Sequence, residues 1–190
     1  MTADFDSLPP LALSVRQPWA WAIIHGGKVI ENRSAGAIRA GRMTMGPIAI
    51  HAAAGLKREE FKWGLWRLSK HGVRCPPPDE LVRSAIIGAV DVVDIVSESD
   101  SEWFGGQCGL VLANPVAVEP IPAKGALGYF AWQRSGDFAP VKPWMRAAMW
   151  RTGREEAAGK MGETGDLFPD LAPSFADTPE RPSRKPKPRD

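Results

Sequence analysis

A mainly β α+β domain, curled into a small barrel of about five to seven strands with two or three flanking helices, is what this 190-residue sequence predicts, with a disordered tail behind it. Three observations carry that expectation. Short runs rich in aliphatic and β-branched residues, at 11–15, 28–33, 47–52, 86–96, 108–113, 115–120 and 128–133, read as strands. Most of them lie too close together for crossover helices, which argues against a doubly wound parallel sheet. From Ser135 onward aliphatic residues thin out, and Pro179 to Asp190 offers almost nothing to bury. Such a segment cannot offset its ordering entropy.

The elements follow in order. Residues 1–8 form an acidic N-terminal arm, too poor in apolar residues for a signal peptide. A folded domain spans 9–134 and opens on the strand Leu11–Val15. Pro18 starts a helix over 18–25, because its missing N–H is not needed in the first turn. Gly26 or Gly27 can take the left-handed conformation that ends it. Lys57 to Lys70 is an amphipathic helix with apolar Phe61, Leu65 and Leu68, and 78–84 reads as a third helix. In Ile86–Val96 the alternation slips at Val92-Val93 and Gly88 invites a bend, so a bulge or strong curl is expected. Closing a small barrel needs such curvature. Residues 135–152 form a docking segment or a short helix, with Trp144, Met145, Ala148, Met149 and Trp150 as its apolar stripe. Residues 153–190 form the flexible tail, a possible contact for a protein partner.

The stretch richest in chemistry is Gly26-Gly27-Lys28-Val29-Ile30-Glu31-Asn32-Arg33. Alternate residues of a strand share a face, so Glu31 and Arg33 point the same way, with Val29. Lys28, nearest the glycine turn, can swing to either side. A carboxylate and a guanidinium two apart can bond to each other or share a ligand. The plainer alternative is a solvated strand edge carrying a surface ion pair, worth roughly 0–1 kcal/mol.

Net charge is only +2, but it is unevenly spread. Arg16 to Arg83 holds twelve Lys and Arg against five Asp and Glu, a net +7; Ser84 to Pro122 holds no Lys or Arg and six acids, a net −6. A chain divided in this way can present a basic face to phosphates. Cys75 and Cys108 lack metal-ligand spacing, so neither a metal nor another cofactor is expected. No apolar run approaches a membrane span, so the expectation is a cytoplasmic monomer without membrane contact.

The motif Gly26-x-Lys28-x-x-Glu31-x-Arg33 resembles the signature of the ASCH domain, a branch of the PUA-like β-barrel superfamily. Leu13-Ser14-Val15-Arg16-Gln17-Pro18-Trp19-Ala20, Gly46 to Ala52, Ile87 to Val90 and Gly128 to Trp132 resemble the family's flanking elements in order. The similarity covers about residues 9 to 134 and is nearest to the form in transcription coactivators and in bacterial and phage proteins. It implies a PUA-like barrel with a cleft lined by the motif, and RNA or another nucleic acid as ligand. Composition alone does not choose this barrel over an OB-like one. One departure is Ala35, where such proteins often carry an aromatic residue.

Further candidates surround the motif. Arg16 and Gln17 precede the first helix, and Arg16 with that helix N-terminus could hold a phosphate. Of Trp19 and Trp21, one belongs to the core and the other can stack on a base; Trp19, nearest the helix start, is favoured. His51 ends a core-facing strand and is either packed or a cleft contact. Lys124, in a glycine-rich connection, lines the cleft or is solvated. Two functions follow. The first is a binding module, in which Arg16, Lys28 and Arg33 hold phosphates, Glu31 accepts from a base amino group and an indole stacks. The second is a hydrolase acting on RNA or on a modified nucleoside, with Lys28 and Glu31 as acid–base pair. Some ASCH-like enzymes remove an acyl group from cytidine, and ribonuclease activity is associated with others. Glu31 stands where the amidohydrolases have a nucleophilic threonine, so that mechanism does not transfer.

Overall fold

The computed structural model describes residues 8–150. The expectations for the arm up to residue 7 and for the tail from 151 lie outside these residues. A single six-stranded sheet runs in the order β2-β5-β4-β3-β1-β6, curled into a half-barrel. Its strands are β1 (Leu11–Val15), β2 (Ile30–Arg33), β3 (Gly46–Ala52), β4 (Ala85–Val96), β5 (Cys108–Pro122) and β6 (Tyr129–Ala131). All neighbours pair antiparallel except β1 and β3, which are parallel. Helices α1 (Trp19–His25), α2 (Ala35–Ala40) and α3 (Arg58–Lys70) accompany the sheet, and Pro143–Arg146 forms a turn of 3-10 helix.

The curl sits where the sequence pattern slips. Pairing of β4 with β5 shifts register between Ile86 and Gly88, between Ala89 and Asp91, and between Val92 and Asp94. Each irregularity adds local twist and bends the long strands. Alternation along β1 and β3 then separates two cores. Leu13, Val15, Ile48 and Ile50 face α1, whose Ala20, Ile23 and Ile24 cover them. Ala12, Ala49, Ile86 and Val118 face the opposite side, beneath Phe130 and Trp132.

Three elements differ from the sequence reading. The runs 108–113 and 115–120 are one strand, because Asn114 takes φ +50° and carries the chain through without breaking it. Asparagine tolerates that conformation better than most residues. Residues 78–84 form turns, not a helix. Pro76, Pro77 and Pro78 bring no amide donors, and Ser84 at φ +57° redirects the chain into β4. The short helix α2 was not anticipated; Ser34 caps it by accepting from the Ala37 amide at 3.1 Å.

Residues beyond the sheet are tied down by specific contacts. The buried Arg83 donates to the carbonyls of Ala54 at 2.7 Å and Pro140 at 2.6 Å. Met145 and Trp150 pack with Leu56, Phe61 and Leu81, and Trp144 lies against Phe61. Met149, by contrast, is exposed, with its sulfur accepting from Arg58.

Candidate nucleic-acid interface

The charged motif is built at the turn between α1 and β2. The Gly26 and Lys28 amides both donate to the Ala22 carbonyl, at 2.9 and 3.0 Å, and Gly27 takes φ +68° between them. This turn swings the Lys28 side chain inward, over the strand that follows. Its Nζ lies 2.9 Å from Glu31 Oε2 and also donates to the Ile30 carbonyl, with only 4% of the side chain exposed. Arg33 reaches Glu31 Oε1 at 3.3 Å from the same face of β2, and donates to the Ser14 carbonyl at 2.9 Å. The three side chains form one buried to half-buried cluster of net charge +1. The plainer alternative, a solvated surface pair, is therefore corrected for Lys28 and Glu31. The glycine turn and the edge-strand position let the two side chains fold under the cleft, not out into solvent.

The cluster floors a cleft of two adjoining parts. The first, about 340 Å³, is walled by Trp19, Trp63 and Trp103, with Lys28 and Glu31 below and Arg67 at the side. The second, about 400 Å³, lies between Arg16, Arg33 and Glu60 on one side and Ala126, Leu127 and Gly128 on the other. Trp19, Glu31 and Asn32 border both. The lining carries Arg16, Lys28, Arg33 and Arg67 against Glu31 and Glu60, a net +2.

Distant segments supply the aromatic walls. Trp63 stands edge-on to Trp19, with ring centroids 5.3 Å apart. Gly64 makes this possible: a Cβ there would sit 2.6 Å from Pro18 Cγ, so only glycine lets α3 approach α1 so closely. Trp103 arrives on the loop before β5. Asn32 Nδ2 donates to the Trp103 carbonyl at 2.8 Å, and the Gly105 amide donates to Asn32 Oδ1 at 2.9 Å. On its other side Trp103 stacks on His71, with centroids 3.7 Å apart. Burial and the nearby Arg67 lower the His71 pKa, against an opposing pull from Glu102.

The sequence candidates are thus sorted. Trp19, Lys28, Glu31 and Arg33 converge on the cleft, and Arg16 stands at its rim, its Nη1 2.8 Å from both Glu60 oxygens. Gln17 does not face the cleft. It is 1% exposed, donates to the Val82 carbonyl at 2.8 Å and accepts from the Trp21 amide at 3.0 Å. The expected phosphate site at the start of α1 loses its helix part, since the Ala20, Trp21 and Ala22 amides already have partners within the chain, and Arg16 alone stays beside the cleft. His51 is a packed residue, not a cleft contact. Its Nε2–H donates to the Ala123 carbonyl at 3.0 Å, so Nδ1 accepts from the Ser14 hydroxyl at 2.9 Å. Lys124 is exposed and outside the residues that line the cleft, although its loop continues into the second wall. Among the described residues no three His, Cys, Asp or Glu side chains come together as metal ligands, and no helix is long and apolar enough to cross a membrane.

Trp63, Asn32, Trp103 and Arg67 were absent from the sequence candidates. Trp63 carried one signal, since it falls off the Phe61–Leu65–Leu68 stripe and so had to face elsewhere. Nothing local marked Trp103.

A curled half-barrel whose edge strand leads a Lys–Glu–Arg cluster into an aromatic cleft defines a small, mainly β domain with one candidate binding cleft. The ASCH domain family model matches residues 13–136, and the chain belongs to that family. No curated protein matches the chain.

Proposed function

We propose that the cleft binds single-stranded RNA without chemistry. The observation that carries this reading is the set of three tryptophans around a buried cluster of net positive charge. Indole faces stack on unpaired bases of any identity, and flanking Arg and Lys attract the backbone. Glu31 offers carboxylate lone pairs to a base amino group. An RNA duplex hides its base faces, so single strands fit this cleft better. Fluorescence titration of the full chain with single-stranded RNA, duplex RNA and single-stranded DNA tests the reading. Single-stranded RNA should bind in a salt-dependent manner. Trp63→Ala should weaken it by about 5- to 150-fold, the worth of one stacked base. Equal binding by wild type and variant would refute it.

The hydrolase alternative has less support. One Glu31 oxygen accepts from Lys28 and the other is ion-paired with Arg33, which commits the carboxylate to the cluster and away from proton transfer. Wild-type turnover of RNA or of an acylated cytidine, lost in Glu31→Gln, would reverse this ranking.

A further inference from the structure

Resting on the RNA reading, we infer that the two parts of the cleft are distinct subsites, one for a base and one for the phosphate next to it. The unit recognised is then a single nucleotide step, not a long backbone track. The chemistry of the two linings differs. The first part is lined by Trp19, Trp63 and Trp103 above the Glu31 carboxylate, with Trp63 edge-on to Trp19 and Trp103 backed by His71. Three indoles around a small volume suit one flat heterocycle and leave no room for a run of stacked bases. The second part offers Arg33 at its floor and Arg16 at its rim, and no tryptophan beyond the shared Trp19. Guanidinium groups suit a phosphate.

Glu60 marks the phosphate position. Both of its oxygens lie 2.8 Å from Nη1 of an Arg16 side chain that is 54% exposed. An exposed ion pair of this kind contributes little to the fold and exchanges readily for a stronger anion. The carboxylate therefore occupies Arg16 until a phosphate displaces it. Glu60 competes with the ligand and sets the affinity of the phosphate subsite without touching the base subsite.

The experiment compares a nucleoside, its 3′- and 5′-monophosphates and a six-nucleotide RNA. The readout is indole N–H shifts and titration of the full chain as wild type, Arg16→Ala, Glu60→Gln and Trp63→Ala. One of the two monophosphates should bind roughly tenfold more tightly than the nucleoside, the effect of one charge-assisted contact. Arg16→Ala should reduce that gain several-fold, with Arg33 as the remaining cation of the subsite. Glu60→Gln should enlarge it, and Trp63→Ala should weaken all four ligands. The inference is overturned if the hexamer binds but neither monophosphate exceeds the nucleoside, or if Glu60→Gln fails to favour the phosphate-bearing ligands. The broader RNA reading would survive that result. If the hexamer does not bind at all, both fall.

Discussion

Replacing Lys28 by Met leaves the Glu31 carboxylate with one cation instead of two. The lysine side chain is 4% exposed and the glutamate 11%. Removing one partner of a buried ion pair costs about 3–5 kcal/mol, because the other charge stays buried without compensation. Glu31 keeps Arg33 at 3.3 Å, which places the expected loss near the lower end, about 3 kcal/mol. Met preserves the apolar stem, so this figure isolates the charge from the packing. With each kcal/mol worth about 2–4 °C in a chain of this size, the melting temperature should fall by about 6–12 °C. Glu31→Gln should cost more, since it keeps one acceptor oxygen but leaves the buried Lys28 ammonium, and Arg33 beside it, without a counter-charge. Urea unfolding of both single variants and of Lys28→Met/Glu31→Gln closes the cycle. The double variant should be more stable than the two losses added together, by about 1–3 kcal/mol. A Lys28→Met protein within about 0.5 kcal/mol of wild type, or a strictly additive double variant, would refute the buried cluster and restore the surface pair.

Three further outcomes are expected. Gly64→Ala gains about 1 kcal/mol of helix propensity but drives a Cβ into the rigid Pro18 ring at a cost of about 1–3 kcal/mol, so net stability should fall by up to about 2 kcal/mol; RNA affinity should fall with it as Trp63 leaves Trp19, read by thermal melts and titration. Asn32→Ala removes the two bonds that tie the Trp103 loop to β2, so exchange at the Gly105 amide should accelerate and affinity should drop while the sheet amides stay protected, read by hydrogen exchange. Burial lowers the folded pKa of His51 below the ordinary 6.5, so the unfolded chain takes up its proton first as pH falls. No cost arises above about 6.5, and stability should be lost below it until the folded pKa is passed. His71 shifts in the same direction, so the His51 part is the pH-dependent loss that disappears in His51→Gln.

Much of the site was legible because it is local. Glu31 and Arg33 share a face by strand alternation, and the slip at Val92-Val93 announced the irregular pairing of β4. The glycine pair announced the end of α1, but not that Gly27 would be its left-handed residue or that Lys28 would turn inward. That choice depends on the Ala22 carbonyl, which takes both the Gly26 and the Lys28 amides once α1 is seated on the sheet. Gln17 reads as a ligand contact because a polar residue beside a motif carries no mark of burial, and for His51 the core-facing strand leaves the packed and the cleft readings both open. Only the packed structure gives them the Val82 and Ala123 carbonyls. The aromatic walls are the clearest case. Trp63 reaches Trp19 because Gly64 fits against Pro18, and Trp103 is placed by the Asn32 amide that spans its loop together with the His71 ring stacked behind it. Periodicity and spacing determine which face of a strand or helix a residue occupies. Which distant face meets it is decided by close packing, where one missing Cβ or one amide bridge selects the neighbour.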